Sequence, residues 1–351
     1  MKKVVHIIHS KAIGGVEVSV NQYFQYTPKA VDYYLFCIDP VSNVFFIKSN
    51  NLFDFYGIHN PLTFIDIAKK ILEIQPDIVV TSLWKSHFLG LFIKTFIYRK
   101  ANYCGFLHSS TYFHVFDSFF SKLALKKFQY FIFDSKAAFT FSKEVKTRER
   151  LNNWIVPPVV MCMEDKPNSN KSFQVPYRFC FMGRIEEEKK IAYAIAIIEC
   201  LQNMEIDVVF DIYGLGKQQD ELNKLISKNS NINYRGFITP TEVINTMTKY
   251  NFYLQCSSVE GFAISIVQAL SAGLVCFTTP VGEIASYTED GMNAVHLTGK
   301  NAQQDANKVL KHLKNLMQCN EISDKAEKTV STMPRFTELF DNALKEMSLK
   351  T

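Results

Sequence analysis

The sequence predicts an α/β protein of two doubly wound domains, each built on a parallel sheet, that face each other across a cleft. The chain has 351 residues, which is long for one hydrophobic core and natural for two. Short β-rich apolar runs alternate with helical patterns in each half, as parallel β-α units require. Ligands of such sheets bind at the carboxyl ends of the strands, so functional residues are expected directly after strands.

The first domain is predicted over residues 1–158. Its strands are expected in six apolar runs: KVVHIIH, DYYLFCI, DIVVTSL, YCGFLHS, YFIFDS and NWIVPPVV. The segment DSFFSKLALKKFQYF predicts an amphipathic helix with Lys122 and Lys126 on one face. Its apolar face is expected to carry Phe120, Ala124, Phe128 and Phe131.

A polar, proline-punctuated stretch predicts a linker over residues 159–176. The second domain, residues 177–333, repeats the architecture. Its strands are expected in the runs RFCFMGRI, DVVFDIYG, INYRGFI, FYLQCSS and LVCFTT. The last segment, residues 334–351, has apolar residues at helical spacing and is expected to pack back on the first domain.

The composition indicates a globular cytoplasmic protein. Hydrophobic residues make up 47% of the chain and charged residues 21%, a composition that predicts a folded rather than an intrinsically disordered chain. The start MKKVVHIIH has too short an apolar run for a signal peptide, and no stretch reaches the about 18 apolar residues of a membrane span. The eight cysteines include no C-x-x-C pair, which is typical of buried thiols in a reducing compartment.

The charge is uneven along the chain. Residues 1–175 hold 21 Lys and Arg against 13 Asp and Glu, and 21 of the 30 phenylalanines. A basic, aromatic half is suited to an anionic membrane surface, at the inner face of the cytoplasmic membrane, or to an anionic acceptor. A biased codon usage explains the same composition without any function. Nucleic acid is not among the expected partners.

Two glycine pairs follow predicted strands. Gly14 and Gly15 lie between the first strand and a helical pattern, where backbone N–H groups can approach a phosphate or a sugar. Gly214 lies in DIYGLGK, after a strand of the second domain. Neither segment completes the three-glycine dinucleotide fingerprint, so an enzyme that uses nicotinamide or flavin is disfavoured. A turn that simply requires glycine is the alternative at both places.

The segment FMGRIEEEKK places cations after a strand. Arg184 and, six positions later, Lys190 are expected to hold a diphosphate over the cleft, with Lys189 as the alternative if the register differs by one. The other interpretation is a solvated helix start, since acidic residues are favourable at a helix N-terminus.

The segment FYLQCSSVEGFAISIVQALSAG predicts a strand, a short loop and a helix that begins near Phe262 or Ala263. Glu260 and Gly261 then lie at the N-terminal end of this helix, where free N–H groups can bind a phosphate. Gln268 lies about two turns further along, near the same face. The alternative is that Glu260 merely caps the helix.

These motifs resemble a family. The run EGFAISIVQALSAGLVCFTTPVGE, preceded by FMGRIEEEKK, DIYGLGK and NINYRGFI, is similar to the C-terminal half of GT-B glycosyltransferases of family 4, which have two Rossmann-like domains. The segments IIHSKAIGGVEVSVNQYF and FIFDSKAAFTFSKE resemble the family's N-terminal domain more loosely. The resemblance implies a nucleotide-sugar donor, held mainly by the C-terminal domain, and transfer with retention of anomeric configuration.

The resemblance also implies roles for single residues. Arg184 and Lys190 hold the diphosphate, and Glu260 contacts the donor sugar. His108, which follows a strand in YCGFLHSSTY, lies near that sugar, with a loop histidine bonded to local backbone as the alternative. The amides of four residues cradle phosphate: Phe262, Ala263, Ile264 and Ser265.

Position 268 departs from the family's Glu-x7-Glu pattern, because this chain has Gln268. A glutamine still binds a ribose diol but without charge assistance, which is expected to cost about 1 kcal/mol, or five- to tenfold in nucleotide affinity.

No Asp-x-Asp pair is present, and neither a metal nor another cofactor is expected. The prediction is therefore a metal-independent, retaining transferase that acts on a UDP- or GDP-sugar in bacterial surface polysaccharide assembly, such as lipopolysaccharide or capsule, with a glycan or lipid-linked acceptor. The alternatives are a sugar-nucleotide epimerase of the same fold and a catalytically silent partner subunit.

Overall fold

The chain divides into two compact units, Met1–Val160 with Pro334–Thr351, and Met161–Met333. The computed structural model describes residues 1–11, 14–27, 29–39, 49–108, 111–112, 114–144, 152–159, 173–227 and 229–350. The predicted domain limits at residues 158 and 333 lie beside these boundaries. Most of the predicted linker, residues 160–172, lies outside the described residues.

The first unit is built on a parallel sheet. Its described strands are β1 (Lys3–Ser10), β2 (Asp32–Asp39), β3 (Leu52–Asp54), β4 (Ile78–Ser82), β5 (Asn102–Leu107), β6 (Tyr130–Phe133) and β7 (Asn152–Ile155), in the order β3-β2-β1-β4-β5-β6-β7. The helices are α1 (Gly15–Gln25), α2 (Pro61–Ile74), α3 (Trp84–Phe92) with a π-helical turn (Ile93–Ile97), α4 (Val115–Lys127) and α5 (Lys136–Glu144). Every residue of β4 is buried, which explains why the central strands read as continuous apolar runs.

The second unit repeats this design. Its described strands are β8 (Tyr177–Met182), β9 (Val208–Tyr213), β10 (Ile232–Gly236), β11 (Phe252–Gln255), β12 (Val275–Thr278) and β13 (Val295–His296), in the order β10-β9-β8-β11-β12-β13. After β8 comes a 3-10 turn (Glu187–Lys189). The helices are α6 (Ile191–Asn203), α7 (Gln219–Ile226), α8 (Val243–Met247), α9 (Ile264–Ser271), α10 (Ile284–Tyr287), α11 (Ala302–Leu313) and α12 (Leu316–Ser331). The prediction of two parallel α/β domains is confirmed.

The last helix, α13 (Phe336–Leu349), belongs to the first unit. It buries Phe336 and Phe340, whose rings lie 6.3 and 5.7 Å from that of Phe106 in β5. Asp341 accepts hydrogen bonds from the Tyr23 hydroxyl at 2.6 Å and from a backbone N–H at 2.9 Å. The helix is thus fixed by a buried aromatic face and by the partly buried carboxylate of Asp341.

Three details differ from prediction. The strands β3 and β13 were not predicted, because three and two residues are too few to show an alternating pattern. The amphipathic helix α4 ends at Lys127, so Phe128 caps it and Phe131 lies in β6; placing these two on its apolar face was wrong.

None of the helices in the described ranges is long and apolar enough to cross a membrane.

Candidate functional site

The strand order of each sheet reverses at one place, and this is where α/β sheets bind ligands. In the second unit the reversal lies between the neighbouring strands β8 and β11. The chain runs from β8 outward through β9 to β10 and then crosses back to β11 on the other side of β8. Arg184 follows β8, and Glu260 follows β11. The topology therefore brings the two predicted motifs to one edge of one sheet.

The carboxylate of Glu260 is the best-held side chain of this edge. Its Oε1 atom accepts hydrogen bonds from Lys189 Nζ, Gln255 Nε2 and Ser257 Oγ, each at 2.6 Å. The side chain is 7% exposed. No hydrogen bond from a described residue reaches the second oxygen, Oε2. The carboxylate is thus oriented through one oxygen and keeps the other as an acceptor for a ligand.

The support of Glu260 extends one layer deeper. Gln255, the last residue of β11, is buried, and its Oε1 accepts hydrogen bonds from the hydroxyls of Tyr253 and Ser265, both at 2.9 Å. The Ser265 hydroxyl therefore joins α9 to the strand. Gln255, Ser257 and Tyr253 were not predicted as site residues; the one signal in the sequence is a glutamine at the end of an apolar strand.

The N-terminal end of α9 offers free donors. The helix begins at Ile264, one or two residues after the predicted start at Phe262 or Ala263, and Ala263 caps it in the left-handed conformation with φ 55° and ψ 67°. The carbonyl of Phe262 accepts a hydrogen bond from Tyr287 Oη at 2.7 Å. Within the described parts of the chain, no acceptor is found for the backbone N–H groups of Phe262, Ala263, Ile264 and Ser265. These four groups are therefore open to a ligand, and their binding of a phosphate stays a prediction.

The three predicted cations lie in different environments. Arg184 is 60% exposed and contacts only Glu188 among the described residues, at 3.3 Å between Nη2 and Oε1. Lys189 is 12% exposed and is paired with Glu260. Lys190 is exposed and caps α6 with φ 47°. The structure therefore brings Lys189, rather than Lys190, to Glu260 and leaves Arg184 and Lys190 open to solvent.

Glycines allow the loops of this edge to pack backbone against backbone. A Cβ atom on Gly214, which has φ 140°, would lie 1.8 Å from the carbonyl oxygen of Gly183. A Cβ on Gly282, which has φ 60°, would lie 2.1 Å from the carbonyl oxygen of Glu260. Larger residues at these two positions would displace the loops that carry Arg184 and Glu260.

Gly261 lies between Glu260 and the free N–H groups, and its carbonyl accepts a hydrogen bond from the Glu283 N–H at 3.0 Å. Gln268 lies on α9 and is 7% exposed. Its side-chain amide makes no hydrogen bond with a described residue, so it remains available to a ligand.

Gly14, Gly15 and His108 belong to the first unit and lie at the carboxyl edge of its sheet. Gly14 caps α1 and Gly15 opens it. His108 follows β5; its ring lies 3.9 Å from that of Phe106, and its Nε2 atom lies 3.3 Å from Ser82 Oγ. Burial, and then the nearby His6 and His87, hold the pKa of His108 well below its usual range.

A second polar cluster at this edge was not predicted. Asp39 Oδ2 lies 3.0 Å from His9 Nε2 and 2.8 Å from Lys85 Nζ. Burial, reinforced by Lys85 and opposed by Asp39, lowers the pKa of His9. Within the described ranges, no group of three or more His, Cys, Asp or Glu side chains could hold a metal ion.

A known protein family matches the second unit. Residues 163–329 match the family described as Glycosyl transferases group 1. The GtfA subunit of a UDP-N-acetylglucosamine–peptide N-acetylglucosaminyltransferase from Streptococcus pneumoniae is 29% identical over 121 residues, which cover 34% of this chain and 24% of that protein. A poly(ribitol-phosphate) alpha-N-acetylglucosaminyltransferase from Staphylococcus aureus is 24% identical, over 46% of this chain and 34% of that protein. The chain spans about a quarter to a third of the length of these relatives.

Solved structures match along the whole chain. The Anabaena protein HepE, crystallised with UDP-glucose, aligns with a TM-score of 0.81 and 16% identity over 99% of this chain and 100% of that one. At this identity the likeness shows the fold alone. The chain therefore has the GT-B fold, and its second unit is similar to the glycosyl transferases group 1 family over residues 163–329.

Proposed function

We propose that the chain is a retaining, metal-independent glycosyltransferase that moves a sugar from a UDP- or GDP-sugar to a glycan or lipid-linked glycan. The observation that carries this proposal is the arrangement of Glu260, whose carboxylate is oriented through Oε1 beside the open N-terminal end of α9. The names of the relatives and of HepE's ligand favour UDP as the nucleotide.

Different residues of the second unit bind different parts of the nucleotide-sugar donor. The free N–H groups at residues 262–265 and the solvent-exposed guanidinium of Arg184 bind the diphosphate, with Lys190 beside it. Glu260 Oε2 accepts a hydrogen bond from a hydroxyl of the donor sugar. Gln268 binds the ribose diol. Because Oε1 is already occupied, the sugar contact costs little rearrangement when the donor binds.

In the transfer step, the bond between the anomeric carbon and the diphosphate oxygen breaks. The acceptor oxygen forms its bond to that carbon on the same face, so configuration is retained. The acceptor proton passes to an oxygen of the leaving phosphate, and no separate protein base is needed. The cations and N–H groups at the diphosphate stabilise the charge that develops there, which is the work a bound metal does in other enzymes.

The test is product formation from purified protein, a UDP-hexose or a GDP-hexose, and a membrane extract as acceptor source. We expect nucleoside diphosphate release that requires the acceptor, persists in excess EDTA and is lost in Glu260→Gln. Donor consumption without any acceptor indicates the epimerase alternative. Absence of turnover with every donor and acceptor indicates a silent partner subunit.

Gln268→Glu is expected to tighten nucleotide binding five- to tenfold. A carboxylate receives charge-assisted hydrogen bonds from the ribose hydroxyls, which gain about 1 kcal/mol over those of an amide. Calorimetric titration with the nucleoside diphosphate measures the change. An equal or weaker affinity of Gln268→Glu would show that residue 268 does not contact the ribose.

We also propose that the protein acts in bacterial surface polysaccharide assembly, such as lipopolysaccharide or capsule, and contacts the inner face of the cytoplasmic membrane. The first turns of α4 expose three apolar side chains, Val115 at 81%, Phe116 at 64% and Phe119 at 59%. Lys122 and Lys126, on the same helix, are exposed. Helices with this combination lie on anionic bilayers.

The exposed end of α4 continues into an aromatic ribbon across α3 and α2 to the π-helical turn. Neighbouring rings lie 4.9–6.3 Å apart along the series Phe116, Trp84, Phe120, Phe88, Phe64, Phe92 and Phe96. Phe96, at the far end, is 72% exposed. The two acids of α2, Asp66 and Glu73, are paired with lysines. Exposed aromatic side chains beside the exposed Lys122 and Lys126 are suited to an anionic lipid surface, so we assign the aromatic ribbon to lipid contact.

Co-sedimentation with phosphatidylglycerol vesicles tests this contact. Replacing both Phe116 and Phe119 by serine is expected to weaken binding about 30-fold, because partial insertion of two phenylalanines contributes about 2 kcal/mol. Met317→Ser, which changes an apolar side chain 73% exposed in the second unit, is the control and leaves binding unchanged. Undiminished binding of the double variant, or a change in its oligomeric state, would count against membrane contact through α4. Equal binding to neutral phosphatidylcholine vesicles would count against a role of the lysines.

A further inference from the structure

A chain of hydrogen bonds runs beneath the carboxyl edge of the first sheet and ends at His108. Tyr33 Oη lies 2.6 Å from His6 Nδ1, and His6 Nε2 lies 2.7 Å from Ser82 Oγ. Ser82 Oγ lies 3.3 Å from His108 Nε2. On its other side, His108 Nδ1 faces Asp134 Oδ2 at 3.8 Å. Tyr33, His6 and Ser82 are buried, so the chain joins strands β2, β1, β4 and β5 through polar groups that water does not reach.

The Tyr33 end of this series determines which atom donates in each hydrogen bond. His6 Nδ1 is the single hydrogen-bond partner of the Tyr33 hydroxyl within the described residues, and burial keeps that hydroxyl protonated by raising its pKa. The Tyr33 O–H must therefore donate, and His6 Nδ1 accepts. Burial lowers the pKa of His6 to about 3, so the ring is neutral and carries its proton on Nε2. His6 Nε2 then donates to Ser82 Oγ, whose own hydrogen is left for His108 Nε2.

The His108 end of the series requires the same direction of hydrogen-bond donation. A His108 ring that accepts at Nε2 carries its proton on Nδ1 and turns an N–H toward the Asp134 carboxylate. The opposite direction would place a lone pair of Nδ1 against that carboxylate. It would also leave the buried Tyr33 hydroxyl without an acceptor, which is costly. Both ends of the chain thus select one arrangement of protons.

We propose that Tyr33, His6 and Ser82 are positioning residues that hold His108 as the neutral Nδ1–H tautomer and keep that N–H available as a donor to an oxygen of the bound substrate. The distance of 3.8 Å to Asp134 is too long for a hydrogen bond, so the N–H retains its donor capacity. Since Ser82 occupies Nε2, His108 does not act as a general base. The substrate contact rests on the proposed glycosyl transfer, whereas the tautomer does not.

Nitrogen-15 NMR of the full chain with labelled histidine tests the tautomer directly, because two-bond proton–nitrogen couplings distinguish a protonated ring nitrogen from a bare one. His108→Gln and His6→Gln assign the signals. We expect a single Nδ1–H form of His108 and a single Nε2–H form of His6 in the unmodified protein. An Nε2–H form of His108, or a mixture, would overturn the proposal without any variant having to fold.

Ser82→Ala removes the hydroxyl that links His6 to His108 and is expected to give a mixture of His108 tautomers. Ser82→Thr keeps a hydroxyl at this position and is expected to restore the single tautomer. Thr81→Val is the matched control. It removes the neighbouring contact between Thr81 Oγ1 and His87 Nδ1, at 2.8 Å, and leaves the His108 signal unchanged. A His108 signal in Ser82→Ala identical to that of the unmodified protein would also overturn the proposal.

The substrate contact is measured by kinetics. Ser82→Ala is expected to lower kcat/KM about two- to tenfold, the range for one neutral hydrogen bond, and Ser82→Thr to restore it. An unchanged kcat/KM in Ser82→Ala, with the tautomer altered, would overturn the substrate contact. If the tautomer is as stated but no donor is turned over, the failure belongs to the proposed glycosyl transfer.

Discussion

Lys189→Met is expected to lower the free energy of unfolding of the second unit by about 3–5 kcal/mol. The ammonium of Lys189 and the carboxylate of Glu260 are 2.6 Å apart, and their side chains are 12% and 7% exposed. Removing one partner of such a pair leaves an uncompensated charge in a buried place, which is the costly change. Glu260→Gln is expected to destabilise the unit similarly, because it leaves the ammonium without its counter-charge.

The double variant Lys189→Met, Glu260→Gln separates this effect from lost packing. Replacing both charges removes the buried unpaired ion, so the double variant should be more stable than either single one. Thermal and denaturant unfolding measure all three. Lys300→Met, at an exposed lysine of the same unit, is the control and should change stability by less than about 0.5 kcal/mol. Strictly additive losses would contradict a coupled pair.

Arg184→Ala is expected to weaken nucleoside diphosphate binding about 10- to 100-fold with stability nearly unchanged. A hydrogen bond to a charged group contributes about 1.5–3 kcal/mol, which corresponds to that range. The side chain is 60% exposed and has one contact, with Glu188, among the described residues, so its removal costs the fold little.

Arg178→Ala is the matched control for this prediction. Arg178 lies in the same strand, β8, but near its amino end, where its guanidinium lies 5.4 Å from the ring of Tyr250. Calorimetric titration should show normal nucleotide affinity for this variant. An equal loss of affinity in both variants would mean that general positive charge, rather than Arg184 at the carboxyl edge, attracts the nucleotide.

The fold could be predicted from the sequence because parallel strands buried on both faces leave continuous apolar runs, as in β1 and β4. Very short strands leave no such pattern, and β3 and β13 were missed for this reason. The extent of α4 was overestimated because Phe128 and Phe131 continue its helical spacing, although the chain has already turned into β6.

The site could be predicted at the level of motifs but not of pairings. Glu260, Arg184 and the N-terminal end of α9 were expected at one sheet edge, and the strand order places them there. Which of Lys189 and Lys190 approaches Glu260 depends on the left-handed backbone conformation of Lys190, which cannot be predicted from the sequence. The roles of Gln255 and His6 depend on contacts between strands, which a single sequence does not reveal.

The central claim is a metal-free nucleotide site in the second unit, and the most direct measurement is thermal unfolding with UDP, GDP, ADP and CMP, each at millimolar concentration in EDTA. A ligand at a hundredfold its dissociation constant stabilises the folded state by about 2.7 kcal/mol, enough to shift the transition by several degrees. We expect UDP or GDP to raise the transition in the unmodified protein but much less in Arg184→Ala. No shift with any nucleotide, or an equal shift in Arg184→Ala, would contradict the claim.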